Sequence, residues 1–455
     1  MYKNPIQRIL FVFTFHFCIE LLTTNSRVNK CLIEEFRQVQ QREEILKKVI
    51  QSFINMATYE SFSDIYEGAS LTGSLNQGTF IASFFKENLK YKGSVITRQI
   101  DIDCLMNLRL DLKKPRQCLR EIKGKPGYVQ FLTRCIPDKG TWYVFIEKAT
   151  KYIRPVMFKS KVKDRLNGAE SNTKEKGVQV FFLYHFLKRG IIFKSINVKV
   201  SGKTSKSTVK HIFEIQKDEK LYLTTELDYA FMFKVFYRPR VMLNFLARTQ
   251  YNVSREISEY IYVLSKTSRE QKHNINTTEW TYSFSHIENF ILNSFSDAKK
   301  LVYVIFKSIF SKSLKFLDEE IVTSYIVKTI VLWRFEDSNL IYFDDWLNDT
   351  RIWETIDILF TDLQEALKEG FLKEYFIPEI NVLKRFDKSL RDNCQKRIKN
   401  IRTNLKTILL ISEISEARNI LEELLLLFYD GQTYQTLEAF VHNLDPPIHH
   451  YSLFH

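Results

Sequence analysis

Cysteine, glycine and proline are all scarce in this 455-residue chain, and each shortage excludes something. The six cysteines (Cys18, Cys31, Cys104, Cys118, Cys135, Cys394) show no CxxC spacing. That excludes a zinc ribbon and a disulfide framework by pattern, and favours a reducing compartment. The nine histidines are dispersed, and the last four (His442, His449, His450, His455) have no cysteine near them and read as exposed tail. Only 13 Gly and 9 Pro stand against 45% hydrophobic and 14% aromatic residues, a composition that excludes disorder and describes a well-cored globular protein. Internal repeats and low-complexity segments are absent. No apolar run is long enough for an ordinary membrane span. The best candidate, residues 9–22 after Lys3 and Arg8, is interrupted by Glu20 and lacks an A-x-A-like cleavage site. A buried or surface-lying helix and a signal or anchor both fit residues 1–25. The expected location is cytoplasmic, with a secreted form or one tethered through residues 9–22 as the alternative.

What the chain has in excess is positive charge, +14 from 67 Lys and Arg against 53 Asp and Glu. That balance favours a polyanionic partner, nucleic acid or an acidic membrane surface, although solubility alone also accounts for it. The length suits two domains.

Residues 33–59 carry Ile33, Phe36, Ile45, Val49 and Phe53 at spacings near three and four, which predicts a long amphipathic helix. A small turn, Gly73-Ser74, follows, and then a strand bearing Asp101-Ile102-Asp103. Alternation along a strand puts both carboxylates on one face. Two adjacent acids repel unless a cation lies between them, and Mg²⁺ held by one or two carboxylates and substrate phosphates is a common reason to build such a pair. A Gly-Ser turn lets backbone N–H groups and a hydroxyl approach a phosphate. Turn and acids together suggest nucleotidyl transfer.

Further on, residues 128–132 and 142–146 read as strands about a Pro137-Asp138-Lys139-Gly140 turn, and others are expected around 191–200 and 211–216. Residues 221–234 form an apolar strand in which Asp228 is expensive to bury unless paired or metal-bound, making it a candidate third carboxylate. A solvent-accessible Asp near a strand end is the alternative. From residue 289 the helical period dominates, in runs 291–310, 321–335, 355–367 and 405–428, with breaks at Gly370 and Pro378. The fold class is therefore α+β, mixed in roughly the first 265 residues and nearly all-helical afterwards.

The segments GSLNQGTF, DIDCLM, ELDYAFMFKVFYRP, EWTYSFSHIENFIL, SYIVKTIVLWRFE and YFIPEINVL occur in the order seen in the cyclic GMP–AMP synthase and Mab-twenty-one superfamily, which the chain resembles over roughly residues 61–383. The resemblance implies a nucleotidyltransferase-fold lobe with a mixed sheet (residues 32–265) packed against a helical Mab-type lobe (266–385), an active-site cleft between them, and a helical extension (386–455). It implies that Asp101, Asp103 and Asp228 hold two Mg²⁺ or Mn²⁺ ions and that Gly73 and Ser74 hold the triphosphate. Ser324 and Tyr325 match a pair that contacts nucleotide in active relatives, the ring stacking on a base. Lys307 matches a phosphate-contacting lysine, with a solvated helix face as its alternative. ATP and GTP are the implied substrates of a synthase of a cyclic dinucleotide or related second messenger, in innate immune signalling of the invertebrate receptor type.

Three departures bear on this. The stretch between Ser74 and Asp101 is long, so residues 86–99 are expected to bulge out as an insertion, with Gly93-Ser94 as a second, less favoured turn. Thr281 stands where an arginine is usual, which touches nucleotide selectivity. Residues 289–300 lack the His and Cys cluster of a zinc thumb, so no zinc is expected. A duplex would lie on basic residues of the N-terminal helix (Arg42, Lys47, Lys48), with Lys159, Lys161 and Lys163 adding to it. Double-stranded RNA is slightly favoured over DNA. The competing function is a catalytically silent Mab-type protein acting in development through partners. The intact carboxylate set argues for the enzyme. The basic run Lys396-Arg397-Ile398-Lys399 is either a packed helical cap or a partner site.

Overall fold

In the computed structural model, the chain forms two compact units. The structure describes residues 66–73, 77, 90–92, 95–108, 114–136, 151–158, 196–204, 209–217, 220–266, 276–336 and 351–403, together with residues 33, 34, 36–41, 44, 47, 51, 112, 160, 161, 268 and 274. The apolar leader 1–25, the strand expected at 142–146 and the helix expected at 405–428 lie outside these residues.

The first unit is built on a sheet whose main path runs β1–β3–β8–β9–β10–β5–β4. Its strands are β1 (Tyr66–Thr72), β2 (Lys90–Lys92), β3 (Val95–Leu108), β4 (Leu119–Glu121), β5 (Tyr128–Phe131), β6 (Ile196–Thr204), β7 (Val209–Lys217), β8 (Lys220–Val235), β9 (Ile261–Leu264) and β10 (Glu279–Ser283). Helices that belong with it include α1 (Pro115–Cys118), α2 (Arg240–Arg248), α3 (Arg255–Ser258) and α4 (Ser285–Asn293). β3 and β8 pair in parallel over most of their length, while β1 lies antiparallel to β3 and β7 antiparallel to β8. The long apolar-alternating run predicted at 221–234 is thus the centre of the sheet, where burial on both faces rewards Phe231, Met232 and Phe233 alike.

Trp280 of β10, with no exposed surface, is the packing centre of this unit. Its ring meets those of Phe131, Phe158 and Phe233 at centroid distances of 6.2, 5.6 and 5.5 Å, and its Nε1–H donates to the Ile153 carbonyl at 2.9 Å. β10 pairs with both β9 and β5, so residues 279–293 join the sheet unit. The boundary between units therefore falls at Asn293/Ser294, later than the 265/266 division expected from the change of period.

Within the stretch 86–99 expected to bulge out, β2 pairs antiparallel with the start of β3, Lys92 opposite Val95, while Gly93-Ser94 lies outside the described residues. One local expectation changes. Cys118 and Cys135, unpaired by spacing, form a disulfide between the end of α1 and a short turn after β5. Proximity here comes from the β4–β5 pairing, which no cysteine pattern encodes.

The second unit is helical: α5 (Asp297–Ser313), α6 (Ser324–Glu336), α7 (Arg351–Glu369) and α8 (Lys388–Thr403). Leu301, Val302, Ile305, Phe306 and Ile309 of α5 are buried at helical spacing, and Phe306 meets Phe360 of α7 edge-on at 4.8 Å. Ser296 caps α5 through the Lys299 N–H. Ile33, Phe36 and Val39 of the N-terminal helix are buried, and the Arg37 Nε–H donates to Asp297 at 2.8 Å. α8 packs on α7, so residues 388–403 are part of this unit rather than an extension. Among the described residues no helix is long and apolar enough to cross a membrane.

Candidate active site

β3 and β8 place the candidate carboxylates by register. Asp103 and Asp228 are direct partners across the parallel pair, and Asp101 lies two residues earlier on β3, opposite Glu226. The backbone thus gathers three acidic positions, the third from a strand far along the chain. On its other edge β8 pairs with β7, where Lys210 is the register partner of Asp228.

The turn arrives from the opposite side. Thr72, the last residue of β1, is the register partner of Asp103, so Gly73 begins its turn beside the acid. Gly73 has φ +68°, a left-handed conformation that glycine adopts without cost. A β carbon there would fall on Oδ2 of Asp103 and within 3.3 Å of its Cγ. Bare glycine is what allows turn and carboxylate to approach. Asp103 is itself exposed. Ser74 lies outside the described residues.

Gln77 fixes the far side of the turn and was missed in the sequence, where it stands only as part of the segment GSLNQGTF. It is 1% exposed, and its backbone N–H donates to the Gly73 carbonyl at 3.2 Å. Its side-chain Nε2 donates to Glu288 Oε1 at 2.8 Å and to Asn289 Oδ1 at 3.1 Å, both on α4. A buried amide with these partners ties GSLNQG to SFSHIEN, two of the segments that carry the family resemblance. Their co-occurrence was the available signal.

A donor set of carboxylate oxygens suits a hard divalent cation. The cradle at Gly73, kept open for the Asp103 carboxylate, fits that use. Thr281 donates its hydroxyl to the Lys266 carbonyl at 2.6 Å, and so is engaged within the sheet unit.

Lys307, Ser324 and Tyr325 belong to the helical unit. Ser324 and Tyr325 are both exposed at the first turn of α6. Tyr325 is not a core tyrosine: it is 38% exposed, and its hydroxyl donates to Glu374. Lys307 is 6% exposed, which corrects the reading of a solvated helix face. Of the basic residues assigned to a duplex, Lys47 is helical and pairs with Glu44 at 3.3 Å, and Lys161 is half-buried. Arg42, Lys48, Lys159 and Lys163 lie outside the described residues.

No curated protein matches the chain. Residues 298–400, from the start of α5 nearly to the end of α8, match the family model of the Mab-21 protein HhH/H2TH-like domain. The match covers most of the helical unit, and the mixed sheet that precedes it is consistent with a Mab-21 nucleotidyltransferase fold.

Proposed function

We infer that the protein is a metal-dependent nucleotidyltransferase that makes a cyclic dinucleotide or related second messenger from ATP and GTP in innate immune signalling. The observation that carries this is the register of Asp103 with Asp228, with Gly73 set against the Asp103 carboxylate. Asp101, Asp103 and Asp228 would hold Mg²⁺ or Mn²⁺. When bound, the metal supplies charge neutralisation and lowers the pKa of the attacking hydroxyl. The chain's own part is positioning. The Gly73 turn, anchored through Gln77 to α4, presents backbone N–H groups to the triphosphate, and the ring of Tyr325 stacks on a base. A ligand such as double-stranded RNA turns the enzyme on. A silent Mab-type protein would have no use for the whole acidic set, which is retained here.

The test incubates purified protein with labelled ATP and GTP, Mg²⁺ or Mn²⁺, and duplex RNA or DNA, beside Asp101→Asn/Asp103→Asn. A phosphatase-resistant product from wild type, absent from the variant, is expected. The same product from both proteins would sink the assignment of these acids. No product with any duplex would sink activation by nucleic acid.

A further inference from the structure

The most one-sided surface of the helical unit is α8. Its apolar residues Cys394, Ile398 and Ile401 are buried on the side packed toward α7. The opposite face exposes Lys388, Lys396, Arg397 and Lys399 among Ser389, Asn393, Asn400 and Thr403, with Asp392 as its acid. Other cations of the helix are already committed. The Arg402 guanidinium donates to Asp357 at 2.7 and 2.8 Å and to Gln364 at 2.7 Å, and Arg391 lies against Gly370. Among the described residues no carboxylate pairs with Lys388, Lys396, Arg397 or Lys399. Arg397 instead lies over the ring of Phe316 at 4.7 Å, and Phe316 is 51% exposed. The contact keeps this exposed guanidinium at the surface, where its N–H groups suit an oxyanion.

We propose that this face binds the phosphodiester backbone of a duplex nucleic acid. Lys388 and Lys399 are separated by roughly 16 Å along the helix at 1.5 Å per residue. That is enough to reach both backbones flanking a groove about 12 Å wide. A lipid surface is the poorer occupant, because a membrane-lying helix needs an apolar face to bury and that of α8 is spent on the core. The uncharged polar residues between the lysines suit phosphate and sugar oxygens. The face lies apart from the N-terminal basic residues weighed above. As the dock for an activating ligand it rests on the proposed function, but binding is measured without turnover.

The experiment uses the full chain, fluorescence anisotropy, and labelled RNA and DNA duplexes at salt from about 50 to 200 mM. Lys388→Glu/Lys396→Glu/Lys399→Glu is compared with wild type and with Lys114→Glu/Lys123→Glu/Lys151→Glu, an equal charge change on exposed residues of the sheet unit. The α8 variant should lose affinity about tenfold or more, and its salt slope should flatten by about 2.7 for three phosphate contacts. The control should stay within about twofold of wild type, and Lys388→Gln/Lys396→Gln/Lys399→Gln should repeat the loss in milder form. A loss on RNA alone or DNA alone supports the proposal and identifies the source. Equal loss in the control, no loss in the α8 variant, or binding to phosphatidylserine vesicles in place of either duplex would each overturn it. Asp103→Asn should bind duplex as wild type does, so failed catalysis and failed binding are separable.

Discussion

Gly73 stands against the carboxylate of Asp103 with no room between them for a methyl group. Its left-handed backbone adds a second constraint, since an L residue there costs roughly 1–2 kcal/mol. Gly73→Ala should therefore lower stability by about that amount in urea denaturation. It should lower the transfer rate much more, about 100-fold, because the carboxylate must move. Equal activity of the two proteins would show that Asp103 does not work where it lies.

Tyr325 separates ring from hydroxyl. Its O–H donates to Glu374 within the helical unit, so the proposed base contact falls to the ring. Tyr325→Phe should keep the nucleotide KM within about twofold, whereas Tyr325→Ala should raise it by about tenfold, inside the 1–3 kcal/mol that a stacked base contributes. Steady-state kinetics with ATP and with GTP check this.

The Cys118–Cys135 bridge spans 17 residues and ties α1 to the far end of β5. A loop of that size is worth about 3 kcal/mol through the unfolded state. Cys118→Ala/Cys135→Ala, or wild type kept in reductant, should lose close to that in urea titration. If the oxidised and reduced proteins unfold together, the bridge is not formed in solution. Cys394 offers an internal contrast: burial pushes its thiol up to about 11, so it should alkylate last in the folded state.

His286 predicts a pH dependence. Its ring stacks on Tyr260 at 4.6 Å, Nε2 donates to the Tyr260 carbonyl at 3.2 Å, and burial pulls its pKa down to about 4. The unfolded chain binds this proton below about pH 6.5 and the folded chain only below about 4. The histidine's effect on stability is therefore nil above pH 6.5. It grows as pH falls through that window, to a loss of about 3 kcal/mol at most. Urea titrations from pH 7 to about 4 should show the decline, and His286→Gln should flatten it.

The strands that carry the candidate site were legible because period-two apolar alternation survives in β8 and because DxD needs only one strand. Their pairing was not. Whether Asp228 meets Asp103 depends on a parallel register between distant segments, and strand alternation is silent about partners. Residue type also misled where burial inverted it. Lys307 and Gln77 look like surface residues in sequence, yet both are enclosed. The cysteine pair escaped for a related reason, since spacing patterns record compact modules and not closure across a sheet edge.

The parallel pairing of β3 with β8 also sets an order of events during synthesis. Asp101 and Asp103 leave the ribosome early, whereas their partner strand emerges only after β4 to β7 have been made. Until β8 docks, the chain holds two of its three candidate acids. On the proposed function, metal affinity would thus be a late acquisition of the nascent chain, and a fragment ending before Lys220 should bind divalent cations no better than an unstructured acidic peptide.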